Sequence, residues 1–443
     1  MEWRLDLNTN VKNKPVSRLQ DLPPEKNKAL LIGTHLSSKV KALSLEQLDE
    51  LESLGQTFGL QTVQKVPCPI KEYDASTFIG KGKVEEIRGL IKELQCDLVI
   101  FDDEISPHQQ RNLEKEWEIV VIDRTELILA VFDQRAHTRE AKIQIELASF
   151  QYQLPRLRKL WTHLHRQRSG SAGSGFTKGE GETQIELDRR ILRRKMDQLR
   201  KELEEVKKHR KIQRRARERS GIPTFAIIGY TNVGKSTLLN ALTDAGVLAE
   251  DKLFATLDTT TRKFTLPNKQ NVLLIDTVGF IRKIPHLLVA AFKSTLEEAV
   301  QADILLHLID ASSSTALIQA EATLEVLKEL GAEKQPMITV LNKVDQCKDR
   351  DQIHQLRIKY PKTVEISALN KLGFDLLTEQ MIHELSLLRQ LVHLRVPQSH
   401  YALVSEVLAK GKVIVCEYEE NDILLEVEIP HSLQTKVFPF LVT

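Results

Sequence analysis

The sequence predicts an α/β protein: an N-terminal α/β domain carrying a long antiparallel helical hairpin, a second α/β domain with a mostly parallel sheet, and a small C-terminal α+β domain. Three observations lead there. Short apolar runs alternate with amphipathic helical runs twice along the chain, once before residue 136 and again after residue 221. Between those stretches, two long charged helical segments flank the loop Ser169-Gly170-Ser171-Ala172-Gly173-Ser174-Gly175. Beyond residue 388 the pattern becomes strand, helix and hairpin.

Residues 1–27 are polar, contain Pro15, Pro23 and Pro24, and are expected to form a flexible tail. The N-terminal α/β domain is assigned to 28–136. Strands are predicted over 29–33, 62–66, 97–101 and 119–122, and helices over 44–58, 83–94, 107–117 and 125–132. Helical periodicity continues through Leu147, Phe150, Leu154 and Leu157 to about residue 167, and a second helix is predicted over about 183–219. Joined by one loop, these make the hairpin, 137–220. Ser220-Gly221-Ile222-Pro223 ends it, and a second α/β domain is assigned to 221–387. The C-terminal domain, 388–443, is read as a strand, a helix over 401–410, and a hairpin pairing 412–418 with 423–429. No internal repeat is present.

The 443 residues give room for roughly two to four domains. An apolar fraction of 41%, a charged fraction of 28% and a net charge of +2 describe an ordinary soluble chain. The cysteines Cys68, Cys96, Cys347 and Cys416 lie far apart with no C-x-x-C spacing, which argues against a zinc site or disulfide framework and for a reducing compartment. The start, Met1-Glu2-Trp3-Arg4-Leu5-Asp6, is charged where a signal peptide needs an apolar core. The longest apolar runs, such as 272–275 and 304–306, are strand-length, so no membrane span is predicted. A cytoplasmic monomer is expected.

Residues 225–228 form an apolar strand that feeds Gly229-Tyr230-Thr231-Asn232-Val233-Gly234-Lys235-Ser236, and a helix follows. That is the strand–loop–helix context of a P-loop. The glycines let backbone N–H groups turn inward around phosphate oxygens. Lys235 brings a positive charge to the β/γ-phosphates, and Ser236 a hydroxyl to Mg²⁺. Alone, this motif could be a glycine turn with an incidental Lys-Ser. Three further motifs follow in order, each at a strand's C-terminal end, where open α/β sheets bind ligands. Asp276-Thr277-Val278-Gly279 closes an apolar strand; Asp276 is expected to hold the Mg²⁺ hydration shell, and the Gly279 N–H to face the γ-phosphate. Asn342-Lys343-Val344-Asp345 follows another strand. A carboxylate at Asp345 accepts from both N1–H and the 2-amino group of guanine, whereas adenine offers neither. Ser367-Ala368-Leu369 then supports the base. The second domain is therefore read as a P-loop GTPase domain binding GTP and GDP with Mg²⁺.

Between the first two motifs lies Phe254-Ala255-Thr256-Leu257-Asp258-Thr259-Thr260-Thr261-Arg262. A switch loop here must offer a Thr hydroxyl to Mg²⁺ only when GTP is bound. Four threonines compete, and spacing does not choose among them.

These residues resemble the HflX family of ribosome-associated GTPases, related to Obg. The upstream half agrees in Phe78-Ile79-Gly80-Lys81-Gly82-Lys83-Val84-Glu85-Glu86, in Asp102-Asp103-Glu104 with Ser106-Pro107, in Val121-Ile122-Asp123-Arg124-Thr125, and in 181–190. The resemblance covers nearly the whole chain after the tail. It implies Thr256 as the switch threonine, so that Ser236 and Thr256 are the Mg²⁺ ligands and Lys235, Thr256 and Gly279 the catalytic group. It implies nucleotide contacts along 229–236, along Phe254, Ala255, Thr256, Leu257 and Asp258, along 276–279, along 342–345 and along 367–369. It also implies binding to the large ribosomal subunit and separation of stalled ribosomes. GTPases similar at the P-loop use an Asn at the place of Asn232 to hold K⁺, so Asn232 is a candidate K⁺ ligand; the alternative is that it satisfies loop backbone. Phe280 stands where many GTPases carry a Gln that orients the attacking water. Either hydrolysis waits for a partner, or Phe280 packs beneath the switch.

Between Glu146 and Glu180 there is no acidic residue, while Arg156, Arg158, Lys159, Arg166, Arg168 and Lys178 fall there with Trp161, His163 and His165 interleaved. Cations with interleaved rings suit an RNA backbone and exposed bases, so hairpin and glycine-rich loop are expected to contact ribosomal RNA. The basic run 207–217 continues a helix whose acids and bases pair at helical spacing, which fits a solvated face. A regulatory switch acting on another protein or RNA partner is the alternative function. Gly80-Lys81-Gly82-Lys83 is read as a loop-to-helix turn in preference to a second phosphate site.

Overall fold

The structure is a computed structural model. It describes residues 19, 27–36, 41–157, 178–220, 222–243, 253–254, 257, 259–283, 300–333, 335–347, 350–419 and 421–442. The expected tail lies outside the described residues apart from Leu19 and Asn27, and so does the glycine-rich loop. Two compact units emerge: one holds Met1–Glu204 together with Leu253 and Phe254, and the other holds the rest of the described chain.

In the first unit, strands β1 (Lys28–His35), β2 (Gln61–Pro69), β3 (Leu98–Phe101) and β4 (Val120–Asp123) form a parallel sheet in the order β2-β1-β3-β4. Helices α1 (Lys41–Phe58), α2 (Lys81–Leu94), α3 (Pro107–Trp117) and α4 (Arg124–Arg135) alternate with them, as the apolar alternation predicts. Every residue of β3 is buried, because helices cover both faces of a parallel sheet. On one side Phe101 stacks on Trp117 with centroids 6.3 Å apart, and Phe78 meets Phe101 edge-on. α3 begins with a capping box, Ser106 and Gln109 exchanging side-chain and backbone bonds, with Pro107 in the first turn. Gly80 is the N-cap of α2, and Lys83 pairs with Glu86 at 2.6 Å, so the segment forms a loop-to-helix turn.

Helix α4 is buried over its whole first two turns, including its charged start. Asp123 caps it by accepting the Glu126 N–H at 2.9 Å, and Arg124 pairs with Asp102 at 2.7 Å and with Glu50. Burial pushes the Asp123 carboxyl up to about 6, against the opposing pull of Arg156. Arg156 is where the fold departs from its sequence. Grouped by position with the cations of the acid-free stretch, it turns inward instead: its side chain is 10% exposed, 3.1 Å from Asp123 and 3.0 Å from the Ile105 carbonyl, with its guanidinium 3.5 Å over the Tyr152 ring. Its acid lies 33 residues upstream, where local charge counting does not look. Arg156 is therefore removed from the expected RNA-contacting set.

The hairpin arms are α5 (Arg139–Gln153) and α6 (Lys178–Ser220). The helix expected through Leu154 and Leu157 instead stops at Gln153, just before Pro155, which lacks the backbone N–H to continue it, and residues 158–167 lie outside the described residues. Leu147 and Phe150 pack on Met196, and Arg139 bonds Glu202 at 3.2 Å, so the arms run antiparallel.

The second unit is built on a sheet of β5 (Thr224–Gly229), β6 (Thr260–Thr265), β7 (Asn271–Asp276), β8 (Ile304–Asp310), β9 (Met337–Asn342) and β10 (Thr363–Glu365), ordered β10-β9-β8-β5-β7-β6. All neighbours are parallel except β6 and β7. Helices α7 (Lys235–Thr243), α8 (Ala316–Glu329), α9 (Arg350–Lys359) and α10 (Phe374–Leu387) accompany it. β5 sits between β8 and β7, where the strand order reverses, which opens a crevice at its C-terminal end. The C-terminal part is an antiparallel sheet of β11 (Arg389–Pro397), β12 (Lys412–Glu419) and β13 (Asp422–Pro430), ordered β11-β13-β12, with α11 (Tyr401–Lys410) and α12 (His431–Val437). The sequence pattern does not reveal α12, which is too short for a clear period.

His307, on β8, is completely buried with neither ring nitrogen hydrogen-bonded, 6.1 Å from the Tyr360 ring. Burial pulls its imidazole down from 6.5 to about 4. A histidine kept neutral in the fold binds its proton first in the unfolded chain, so its contribution is complete above pH 6.5 and is lost as pH falls toward 4. The shift is worth about 3 kcal/mol. The thermal transition that GDP stabilises should fall over that window, and His307→Leu should flatten the fall, as calorimetry at stepped pH can check.

Candidate nucleotide site

The P-loop leaves the end of β5 with left-handed backbone at Asn232 (φ 60°) and Gly234 (φ 94°). Gly234 must be glycine twice over, because a Cβ there would also run into Asn342 Nδ2. Lys235 opens α7 and is buried; its ammonium donates to the Tyr230 carbonyl at 2.7 Å and the Gly229 carbonyl at 3.3 Å. Burial lowers it to about 8 against the opposing pull of Asp276, so it remains charged at neutral pH. Val233 and Thr231 are buried in the loop, and the Thr231 hydroxyl has no bonded partner. Tyr230 turns its ring inward, and its Oη accepts the Arg282 N–H at 2.7 Å.

Asp276 ends β7 directly beside this loop. Its Oδ2 accepts the Ser236 hydroxyl at 2.7 Å, while its Oδ1 is buried with no partner. Burial pushes the carboxyl up, and Lys235 opposes that. A hydroxyl and a carboxylate with one orphaned oxygen form an all-oxygen donor pair suited to a hard cation that keeps most of its waters. The residues therefore fit Mg²⁺: Ser236 would hold it directly and Asp276 through water, and its charge would offset that of the β- and γ-phosphates. Thr277 is committed to structure, its hydroxyl donating to the Ile227 carbonyl at 2.7 Å. Val278 is buried, and Phe280 packs beneath the segment at 1% exposure.

At the base end, Asn342 is 2% exposed and bonds in two directions. Its Nδ2 donates to the Val233 carbonyl at 2.8 Å, and its Oδ1 accepts the Ala368 N–H at 2.9 Å. One amide thus ties the P-loop to the loops that follow β9 and β10. Lys343 is held by Asp310 at 2.7 Å, and the Val344 N–H donates to the Ile366 carbonyl at 3.3 Å. Ser367 exchanges backbone bonds with Leu372 and accepts the Asn370 N–H at 3.2 Å, which shapes the loop. Asp345 and Leu369 are left exposed at its rim. The Lys343–Asp310 pair and the two-way bonding of Asn342 are contacts that the motif spacing did not reveal. Asp310 could have been suspected from its place at the end of an apolar strand.

Models of known families match the chain in three consecutive blocks: a GTP-binding GTPase N-terminal region over 45–133, a GTP-binding GTPase middle region over 135–217, and a 50S ribosome-binding GTPase over 224–343. The chain is 47% identical to GTPase HflX of Chlamydia pneumoniae over 95% of its own length and 90% of that protein. The chain belongs to the HflX family of GTPases. Other HflX relatives agree: the protein of Akkermansia muciniphila is 42% identical over 96% of this chain and 99% of its own, and that of Escherichia coli (strain K12) is 43% identical over 77% and 80%. HflX relatedness thus spans both units. P-loop GTPases of this kind bind Mg²⁺ with their nucleotide, in keeping with the Ser236–Asp276 pair. Of the HflX switch segment, Ala255, Thr256 and Asp258 lie outside the described residues. Leu257 is buried, and Phe254 packs edge-on against Phe132 of α4 within the first unit, centroids 4.5 Å apart. Among the described residues no helix is long and apolar enough to cross a membrane.

If Asp345 reads the 2-amino group, its amide should prefer a base with an oxygen there. Asp345→Asn should lose GDP affinity and gain xanthosine diphosphate affinity, shifting the preference by at least about tenfold. Titration of both nucleotides against wild type and variant gives the ratio directly.

Proposed function

We propose that this GTPase couples its nucleotide cycle to binding of the large (50S) ribosomal subunit and acts in the rescue or splitting of stalled ribosomes. The match of residues 224–343 to 50S ribosome-binding GTPases carries the reading. The acid-free stretch between Glu146 and Glu180 supports it from the other half of the chain. With Arg156 committed to Asp123, the cations left for ribosomal RNA are Arg158, Lys159, Arg166, Arg168 and Lys178, beside Trp161, His163 and His165. Co-sedimentation with ribosomal subunits should show 50S pelleting with a GTP analogue, weaker with GDP, and falling steeply with salt. Pelleting that ignores nucleotide and RNA type would indicate a general RNA-binding module, and none at all a switch for some other partner.

Hydrolysis is proposed to be slow in isolation. Phe280 is apolar and packed away, so no side chain follows Gly279 that can orient the attacking water. The subunit is proposed to complete the site, and Asn232, exposed at its left-handed position, to hold K⁺ beside the phosphates. Single-turnover rates should rise at least about tenfold with 50S subunits. They should drop when Na⁺ replaces K⁺, and Asn232→Ala should abolish that cation dependence. Equal rates in both salts would leave Asn232 as a loop residue only.

A further inference from the structure

The segment after Asp276 is zipped to the P-loop by a short parallel bridge. Phe280 N–H donates to the Gly229 carbonyl at 3.0 Å, and Thr231 N–H donates to the Phe280 carbonyl at 2.7 Å. A side chain adds the third bond, from the Arg282 N–H to Tyr230 Oη at 2.7 Å. Tyr230, Phe280 and Ile281 are all at most 4% exposed, so water does not readily replace these bonds when they part.

The bridge brings Gly279 down onto the loop. A Cβ at Gly279 would lie 2.8 Å from Lys235 Nζ and 2.9 Å from Thr231 Cα, so its backbone rests against the ammonium itself. The ammonium is meanwhile engaged by the Tyr230 and Gly229 carbonyls. A γ-phosphate must be gripped by Lys235 on one side and by the Gly279 N–H on another, which requires the two to stand apart by the width of a phosphoryl group. Bridge and γ-phosphate therefore compete for one space. A diphosphate ends short of it and leaves the bridge intact.

We propose that the Tyr230–Phe280 bridge is a latch that favours GDP over GTP, and that Tyr230 is its positioning residue through the Oη bond to Arg282. A nucleotide shifts a conformational equilibrium only by its different affinity for the two states. GDP gains nothing by opening the latch. GTP must exchange these bonds for charge-assisted contacts to its third phosphate. The latch also gives the tyrosine hydroxyl a purpose that phosphate binding does not, since it reaches a backbone N–H 52 residues along the chain. Tyr230→Phe keeps the ring and removes the hydroxyl that accepts the Arg282 N–H.

Two measurements on the full chain test this. In the wild type, hydrogen exchange over residues 278–283 should be slow with Mg²⁺ and GDP and faster with a non-hydrolysable GTP analogue. Equal protection in the two nucleotides would overturn the latch, whatever any variant does. In Tyr230→Phe, exchange with GDP should quicken, and the ratio of GTP-analogue to GDP affinity should move toward the analogue by about three- to tenfold, the worth of one buried hydrogen bond. If both affinities change in the same proportion, Tyr230 is not the positioning residue.

Discussion

The nucleotide site depends on one buried amide. Asn342 reaches the P-loop through the Val233 carbonyl and the loop after β10 through the Ala368 N–H. Three loops from different strands must keep register to within hydrogen-bond tolerance if phosphates and base are to be held at once. A side chain that donates and accepts at right spacing does this where a charge would have to be desolvated and an apolar group would leave both loops unpaired. Gly234 follows from it, because the amide occupies the volume that a Cβ would need.

Much of this was legible in the sequence because it is local. The order of four motifs, each after an apolar strand, identifies the crevice at the end of β5. Strand lengths and helix periods locate the alternating elements of the first unit, whereas in the second unit they locate the motif-bearing strands but not β6 or the helices α8, α9 and α10. What was not legible joins positions far apart in the chain. Arg156 reads as a surface cation until Asp123 and Tyr152 fold around it. Tyr230 reads as one more nucleotide-contacting P-loop residue until Arg282 arrives. His307 reads as a strand residue, and only the packed sheet shows that it is held without a partner. The short helix α12 escaped for a different reason, since fewer than two turns carry little periodicity.

The two units solve the burial of charge differently. The first encloses Asp123, Arg124, Asp102 and Arg156 in mutually satisfying pairs, a structural arrangement that makes removal of one partner costly. The second leaves Asp276 Oδ1 and the Thr231 hydroxyl unmatched in its interior beside the P-loop. A buried polar atom without a partner costs stability, and these two lie where a bound nucleotide and its metal would supply the missing bonds.

The burial of Lys235 has a consequence for the thermodynamics of the whole cycle. With its ammonium held at about 8, the loop's principal positive charge is one that ordinary alkaline conditions can remove. Phosphate oxygens favour the charged form, so above that pH nucleotide capture is also proton capture. Affinity should then weaken by about tenfold for each further pH unit, and the heat of binding should depend on the ionisation enthalpy of the buffer. In that range the solution's acidity would act on the P-loop as a second ligand, through the proton on Lys235.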